Sequence, residues 1–156
     1  MQGDKQVIQY LNQVLTNELT AINQYFLHAK MFRHWGLKKL AEHEHAESID
    51  EMKHADRLAE RILFLDGLPN YQKLFALRIG ETVKEQFELD LAVEVEAVKR
   101  FNDGIALAVE VGDNATRHML EEMLVSEEDH ADWLETQLEA MRQVGEQNYL
   151  AQQLHD

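Results

Sequence analysis

The chain has no cysteine and a single proline. Without thiols there can be no disulfide, no thiolate metal site and no cysteine nucleophile. One proline and seven glycines in 156 residues are too few for a strand-rich fold, which needs turn residues roughly every 8–12 positions. Basic residues are also scarce. Fifteen Lys and Arg face 29 Asp and Glu, for a net charge of −14. Such a surface repels nucleic acid and anionic membranes, so neither is expected as a partner. It attracts cations. The N-terminal stretch MQGDKQVIQYLNQVL has no apolar core of signal-peptide length, and no apolar run approaches the roughly 20 residues of a membrane span. The expectation from these absences is a soluble, cytoplasmic protein.

What is present is helical periodicity. Apolar residues make up 45% of the chain, enough for a packed core in one domain spanning residues 1–156. Four long helical patterns cover about residues 4–35, 37–65, 82–112 and 114–144, with a short fifth over 146–154. Gly36, Asp66-Gly67-Leu68-Pro69, Gly112 and Gly145 punctuate them. Thr82 and Glu85 fit a capping box. The first-to-second and third-to-fourth joints are short, so those pairs are antiparallel. The longer connection over 66–81 can cross from one pair to the other. The fold class is all-α, a four-helix bundle with one long crossover.

The apolar stripes at spacings of three and four each carry one exception. The first reads Val7, Leu11, Val14, Glu18, Ala21, Tyr25. The third reads Phe87, Leu91, Glu94, Val98, Phe101, Ile105, and the fourth Leu120, Leu124, Glu127, Ala131, Leu134, Leu138. A glutamate stands mid-stripe in three helices. Burying an unpaired carboxylate costs several kcal/mol or forces it to take a proton, and such violations mark functional sites.

A near-repeat links them. EMKHADRL at 51–58 returns as EEDHADWL at 127–134. Glu18 and Glu51 are separated by 51 − 18 = 33 positions, and Glu94 and Glu127 by 127 − 94 = 33. The chain is therefore two helical hairpins, each supplying one lone Glu and one Glu-x-x-His: Glu51/His54 and Glu127/His130. A third such pair, Glu42/His45, is out of register, since Gln9 lies 33 positions before Glu42. It reads as a solvent- or partner-facing pair. Positions i and i+3 share a helix face, so four carboxylates and two imidazoles can converge inside the bundle. Two divalent cations would neutralise four carboxylates. Oxygen-rich donors with a few imidazoles suit iron or manganese, and bridging carboxylates can hold two metals about 3.5–4 Å apart. The competing reading is buried ion pairs, which would need Lys or Arg on the same stripes. None stands at one-turn spacing from Glu18, Glu94 or Glu127.

This ligand pattern is that of ferritin-like di-iron bundles. Within that group the sequence resembles bacterioferritin along essentially its whole length. The likeness runs from Gly3-Asp4-Lys5 through Asn17-Glu18-Leu19, Asn23-Gln24-Tyr25-Phe26 and the stretch ESIDEMKHAD (47–56) to Asn148-Tyr149-Leu150. The resemblance implies that Glu18, Glu51, His54, Glu94, Glu127 and His130 bind two irons. It also implies ferroxidase activity, oxidation of Fe²⁺ by O₂ or peroxide, and storage of ferric mineral in a hollow shell of 24 subunits built from dimers. Tyr25 faces the same centre, where it packs, hydrogen-bonds a ligand or donates an electron. Asp50 and Asp90 either orient ligands or are solvated helix acids.

Met52 follows Glu51 directly and projects about 100° away from the centre. A helical Met is ordinarily core or interface filler. The resemblance implies haem b at a subunit interface with Met52 as axial ligand, in a pocket formed by Leu19, Ile22, Asn23, Phe26 and Ile49. It further implies a small iron–sulfur ferredoxin as electron donor, docking near Leu68, Pro69, Glu81 and Glu85. His45 and Tyr71 depart from the residues expected there, and Ala46 stands where some relatives carry a His for an extra iron. Three alternatives stay open on sequence alone: a di-iron oxygenase or reductase subunit, a di-iron peroxidase, and a structural subunit of a shell mixed with a second bacterioferritin chain.

Overall fold

A computed structural model describes residues 1–154. Its helices are α1 (Lys5–His34), α2 (Lys38–Phe64), α3 (Val83–Glu110), α4 (Asn114–Val144) and α5 (Glu146–Ala151). The long four hold 30, 27, 28 and 31 residues, so each is roughly 40–46 Å long. No strand occurs among the described residues. The fifth helix is shorter than its sequence pattern, ending at Ala151 instead of Leu154.

Local chemistry sets the boundaries. Asp4 caps α1 by accepting from the amides of Gln6 and Val7, and Asp113 caps α4 by accepting from Thr116. Such caps satisfy amides that have no intrahelical partner. At α3 the Thr82 hydroxyl accepts from Glu85 N–H, as the capping box requires. The Glu85 carboxylate reaches the amide of Glu81 instead of that of Thr82. Gly36 and Gly112 sit at φ +81° and +76°, the left-handed region where a side chain is strained. They turn α1 into α2 and α3 into α4.

The two hairpins pack face to face, and α1 also meets α3. The crossover between α2 and α3 has no helix or strand, so its amides need other acceptors. A polar row on α1 supplies them. Asn12, Thr20, Gln24 and His28 accept, in order, from the amides of Asn70, Phe75, Arg78 and Gly80. Four-residue multiples put these side chains on one face. Gly80 belongs at its position because a Cβ would lie 2.5 Å from the Gln86 amide nitrogen.

Two apolar cores fill the bundle. One gathers Leu11, Val14, Leu58, Ile62, Phe101, Leu120 and Met123. The other gathers Phe32, Leu40, Phe87, Leu134 and Tyr149. Burying each such side chain contributes about 1.5–3 kcal/mol. The mid-helix glutamates fall between the two cores, near the small Ala21–Tyr25–Val93 cluster. The apolar mass on either side holds a polar layer that could not be stable alone.

Candidate metal centre

Each of the four long helices contributes to that layer. Glu18 comes from α1, Glu51 and His54 from α2, Glu94 from α3, and Glu127 and His130 from α4. The carboxylates are 0–2% exposed, His130 2% and His54 9%. The structure brings all six together in two overlapping sets. Glu18, Glu51, His54 and Glu127 form one; Glu51, Glu94, Glu127 and His130 form the other. Within each set the candidate ligand atoms lie within 4.8 Å of one another. Glu51 and Glu127 belong to both, so they lie where bridging carboxylates would.

The internal contacts run between acids and imidazoles. His54 Nδ1 is 3.0 Å from Glu127 Oε1, 3.4 Å from Glu51 and 3.5 Å from Glu18. His130 Nδ1 is 2.9 Å from Glu94 Oε1. The Tyr25 hydroxyl donates to the same Glu94 oxygen. Among the described residues no Lys or Arg pairs with these four carboxylates. Both oxygens of Glu18, one each of Glu51, Glu94 and Glu127, and Nε2 of His130 are buried with no hydrogen-bond partner. Orphaned buried acceptors are costly. A shared pair of cations is the economical way to satisfy so many at once.

The electrostatics follow from crowding. Burial, then the charges of Glu51 and Glu94, push the Glu127 carboxyl well above its usual range. Burial also opposes ionisation of Glu94, but hydrogen bonds from Glu127, His130 and Tyr25 and the His130 charge outweigh it and hold Glu94 low. Burial pulls His130 down, yet the Glu94 hydrogen bond and the surrounding acids carry it up to about 9. Tyr25 is pushed up by burial and by Glu94 and Asp90, so it stays a hydroxyl donor. Before a metal binds, the layer keeps some of its charge neutralised by protons.

Other residues fall as follows. Glu42 and His45 are exposed and apart from the centre. Asp90 is buried, but its partners are Gln24 and His28, not the adjacent Glu94. Asp50 is half-buried. Met52 is 49% exposed, Phe26 42% and Tyr71 51%. Sequence reasoning missed a fully buried His28–Glu44–Asp90 cluster and the His43–Glu47–His130 group. Glu44 lies nine residues after Trp35 and seven before Glu51, on the face of Ser48 and Glu51. That spacing was the available signal.

A four-helix bundle with one long crossover and a buried layer of four Glu and two His that could hold metal defines the ferritin-like class. Residues 8–144 match the ferritin-like domain family. A bacterioferritin of Mycolicibacterium paratuberculosis is 56% identical over 152 residues, covering 97% of this chain and 96% of that protein. Bacterioferritin BfrA of Mycobacterium tuberculosis is 54% identical over 152 residues with the same coverage. A Streptomyces coelicolor bacterioferritin is 52% identical over 151 residues, covering 97% of this chain and 90% of its own. The chain belongs to the bacterioferritin family.

Proposed function

We propose that this chain is the subunit of an iron-storage protein and a ferroxidase. Glu18, Glu51, His54, Glu94, Glu127 and His130 hold two Fe²⁺ as substrate, and O₂ or peroxide oxidises them. The observation that carries this reading is the pair of donor sets sharing Glu51 and Glu127. Four carboxylates favour Fe³⁺ over Fe²⁺ because each added positive charge is better compensated, which is the local drive toward oxidation. The Tyr25 hydroxyl holds Glu94 through the same oxygen that His130 Nδ1 contacts, with its ring edge-on to the His130 ring. His54 and His130 each supply an imidazole nitrogen to one of the two sets.

The ferric product is stored in a shell of 24 chains assembled from dimers, as one domain of residues 1–156 per chain. The cytoplasm is the expected compartment. No helix among the described residues is long and apolar enough to cross a membrane.

Haem b fits the outer face. Met52 is 49% and Phe26 42% exposed; Ile22 and Ile49 are partly covered and Asn23 is exposed, while Leu19 is buried. A soft sulfur ligand on an apolar surface suits a haem shared between two chains, and thioether ligation raises its potential. Bound there, haem would carry electrons for reduction of stored Fe³⁺. Met52 would supply the thioether sulfur that holds it. A small iron–sulfur ferredoxin is the proposed source of those electrons.

Iron titration with oxygen uptake tests the ferroxidase reading. Two Fe²⁺ per chain are expected to be consumed in a fast phase, before slower mineral growth. A protein that takes up oxygen no faster than buffer is an inert shell subunit.

A further inference from the structure

The α2 face that bears Glu51 and His54 continues past them. His43, Glu47 and Glu51 follow at four-residue intervals, with His54 three further on, so all lie in one row. Glu51 and His54 are inside the centre. His43 and Glu47 are only partly covered, with side chains 32% and 17% exposed. They form the more exposed end of the row.

His43 is built to receive a cation. Its ring lies flat on the Trp133 indole, with centroids 3.6 Å apart and planes 16° from parallel. That stacking fixes the ring plane, so little side-chain freedom remains to be lost on binding. His43 Nε2 lies 3.4 Å from Glu47 Oε1, yet it is buried and has no hydrogen-bond partner. The other Glu47 oxygen lies 3.4 Å from His130 Nδ1. Candidate ligand atoms of His43, Glu47 and His130 fall within 4.8 Å of one another.

We propose that His43 and Glu47, with the His130 ring at their inner edge, form a third divalent-cation site at the mouth of the di-metal centre. Two imidazoles and one carboxylate suit a borderline ion such as Fe²⁺, Co²⁺ or Zn²⁺ over Mg²⁺ or Ca²⁺. Because His130 belongs to both this group and the inner one, an ion here is next to the centre's own ligands. Its purpose, feeding iron to the centre, rests on the ferroxidase reading; its existence as a cation site does not.

The test is an anaerobic titration of the assembled protein with Co²⁺ alone, read by equilibrium binding and by tryptophan fluorescence. The chain has two tryptophans, Trp35 and Trp133, so a Trp35→Phe background reports on Trp133. In that background His43→Phe keeps an aromatic ring on the indole but removes the donor atom. It is expected to bind one fewer Co²⁺ per chain and to lose the quenching step assigned to that ion. Glu47→Gln is expected to lose the same step, which covers the case of a misfolded His43→Phe. A Glu18→Ala variant, altered only in the inner centre, is expected to lose inner ions but keep the His43-dependent one. Equal Co²⁺ stoichiometry and equal quenching in the parent, His43→Phe and Glu47→Gln would overturn the third site. Equal stoichiometry in the parent and Glu18→Ala would instead strike at the inner centre.

Discussion

Glu51 on α2 and Glu127 on α4 come from opposite hairpins, yet each is common to both donor sets of the buried centre. Their shared membership makes one site of two half-sites. Replacing Glu127 by Gln keeps the shape and removes a charge that both ions need. Glu127→Gln is expected to bind fewer than two Fe²⁺ per chain and to lose the fast phase of oxygen uptake, measured by anaerobic iron titration followed by oxygen-electrode traces.

The same substitution has a second, opposite consequence for the metal-free protein. Burial and neighbouring acids raise the folded Glu127 well above its ordinary 4.5. A carboxyl raised on folding opposes folding once pH exceeds its unfolded value, because the unfolded chain then releases the proton more readily. Gln carries no such proton. Without metal, Glu127→Gln is expected to melt with the parent below about pH 4.5 and increasingly above it as pH rises. Thermal melts in chelator across that range check the sign.

Metal loading is expected to release protons. His130 lies near 9, so it carries a proton at neutral pH that it must give up to act as a ligand, and the raised Glu127 carboxyl gives up its proton to metal more readily than to solvent. Affinity for Co²⁺ therefore falls as pH falls, by about tenfold per pH unit for each proton released. Calorimetry in buffers of different ionisation enthalpy gives the proton count directly.

The crossover is held by side-chain acceptors on α1, so removing one acceptor strands a part-buried amide. Gln24 accepts from Arg78 N–H and donates to Asp90. Gln24→Leu is expected to cost about 1–3 kcal/mol in urea denaturation while leaving iron stoichiometry unchanged. A drop in bound iron would place Gln24 closer to the centre's chemistry than its contacts do.

Met52 should separate haem from iron oxidation. Its side chain leaves α2 on the outer face, 49% exposed, while Glu51 beside it is 2% exposed. Met52→Leu keeps an apolar group of similar volume and removes the sulfur. It is expected to purify without a haem band in the visible spectrum and to oxidise Fe²⁺ at the parent rate.

Much of this arrangement could be read from residue spacing. Glutamates in mid-stripe and a 33-residue register, repeated in both halves, located Glu18, Glu51, Glu94 and Glu127 because helix periodicity converts sequence distance into direction. The Gly36 and Gly112 turns were legible for the same local reason. What spacing did not reveal depends on contacts between elements. Nothing near His28 in sequence shows that Asp90 will bond its Nδ1 while Gly80, 52 positions away, donates to its Nε2. Asp90, read as a possible partner of its neighbour Glu94, turned to another helix instead. His43 stacks on Trp133 from a different hairpin, a relation with no one-dimensional signature. The apolar stripe of α4 was also incomplete: Met119 and Met123 are buried there, while Leu124 is only partly covered.

Mössbauer spectroscopy on protein given two isotopically enriched Fe²⁺ per chain, then air, interrogates the centre most directly. If the two donor sets act together through Glu51 and Glu127, the ferric ions formed first are a magnetically coupled pair, absent in Glu127→Gln. Isolated ferric ions in the parent, or iron still ferrous after exposure to oxygen, would contradict a shared centre.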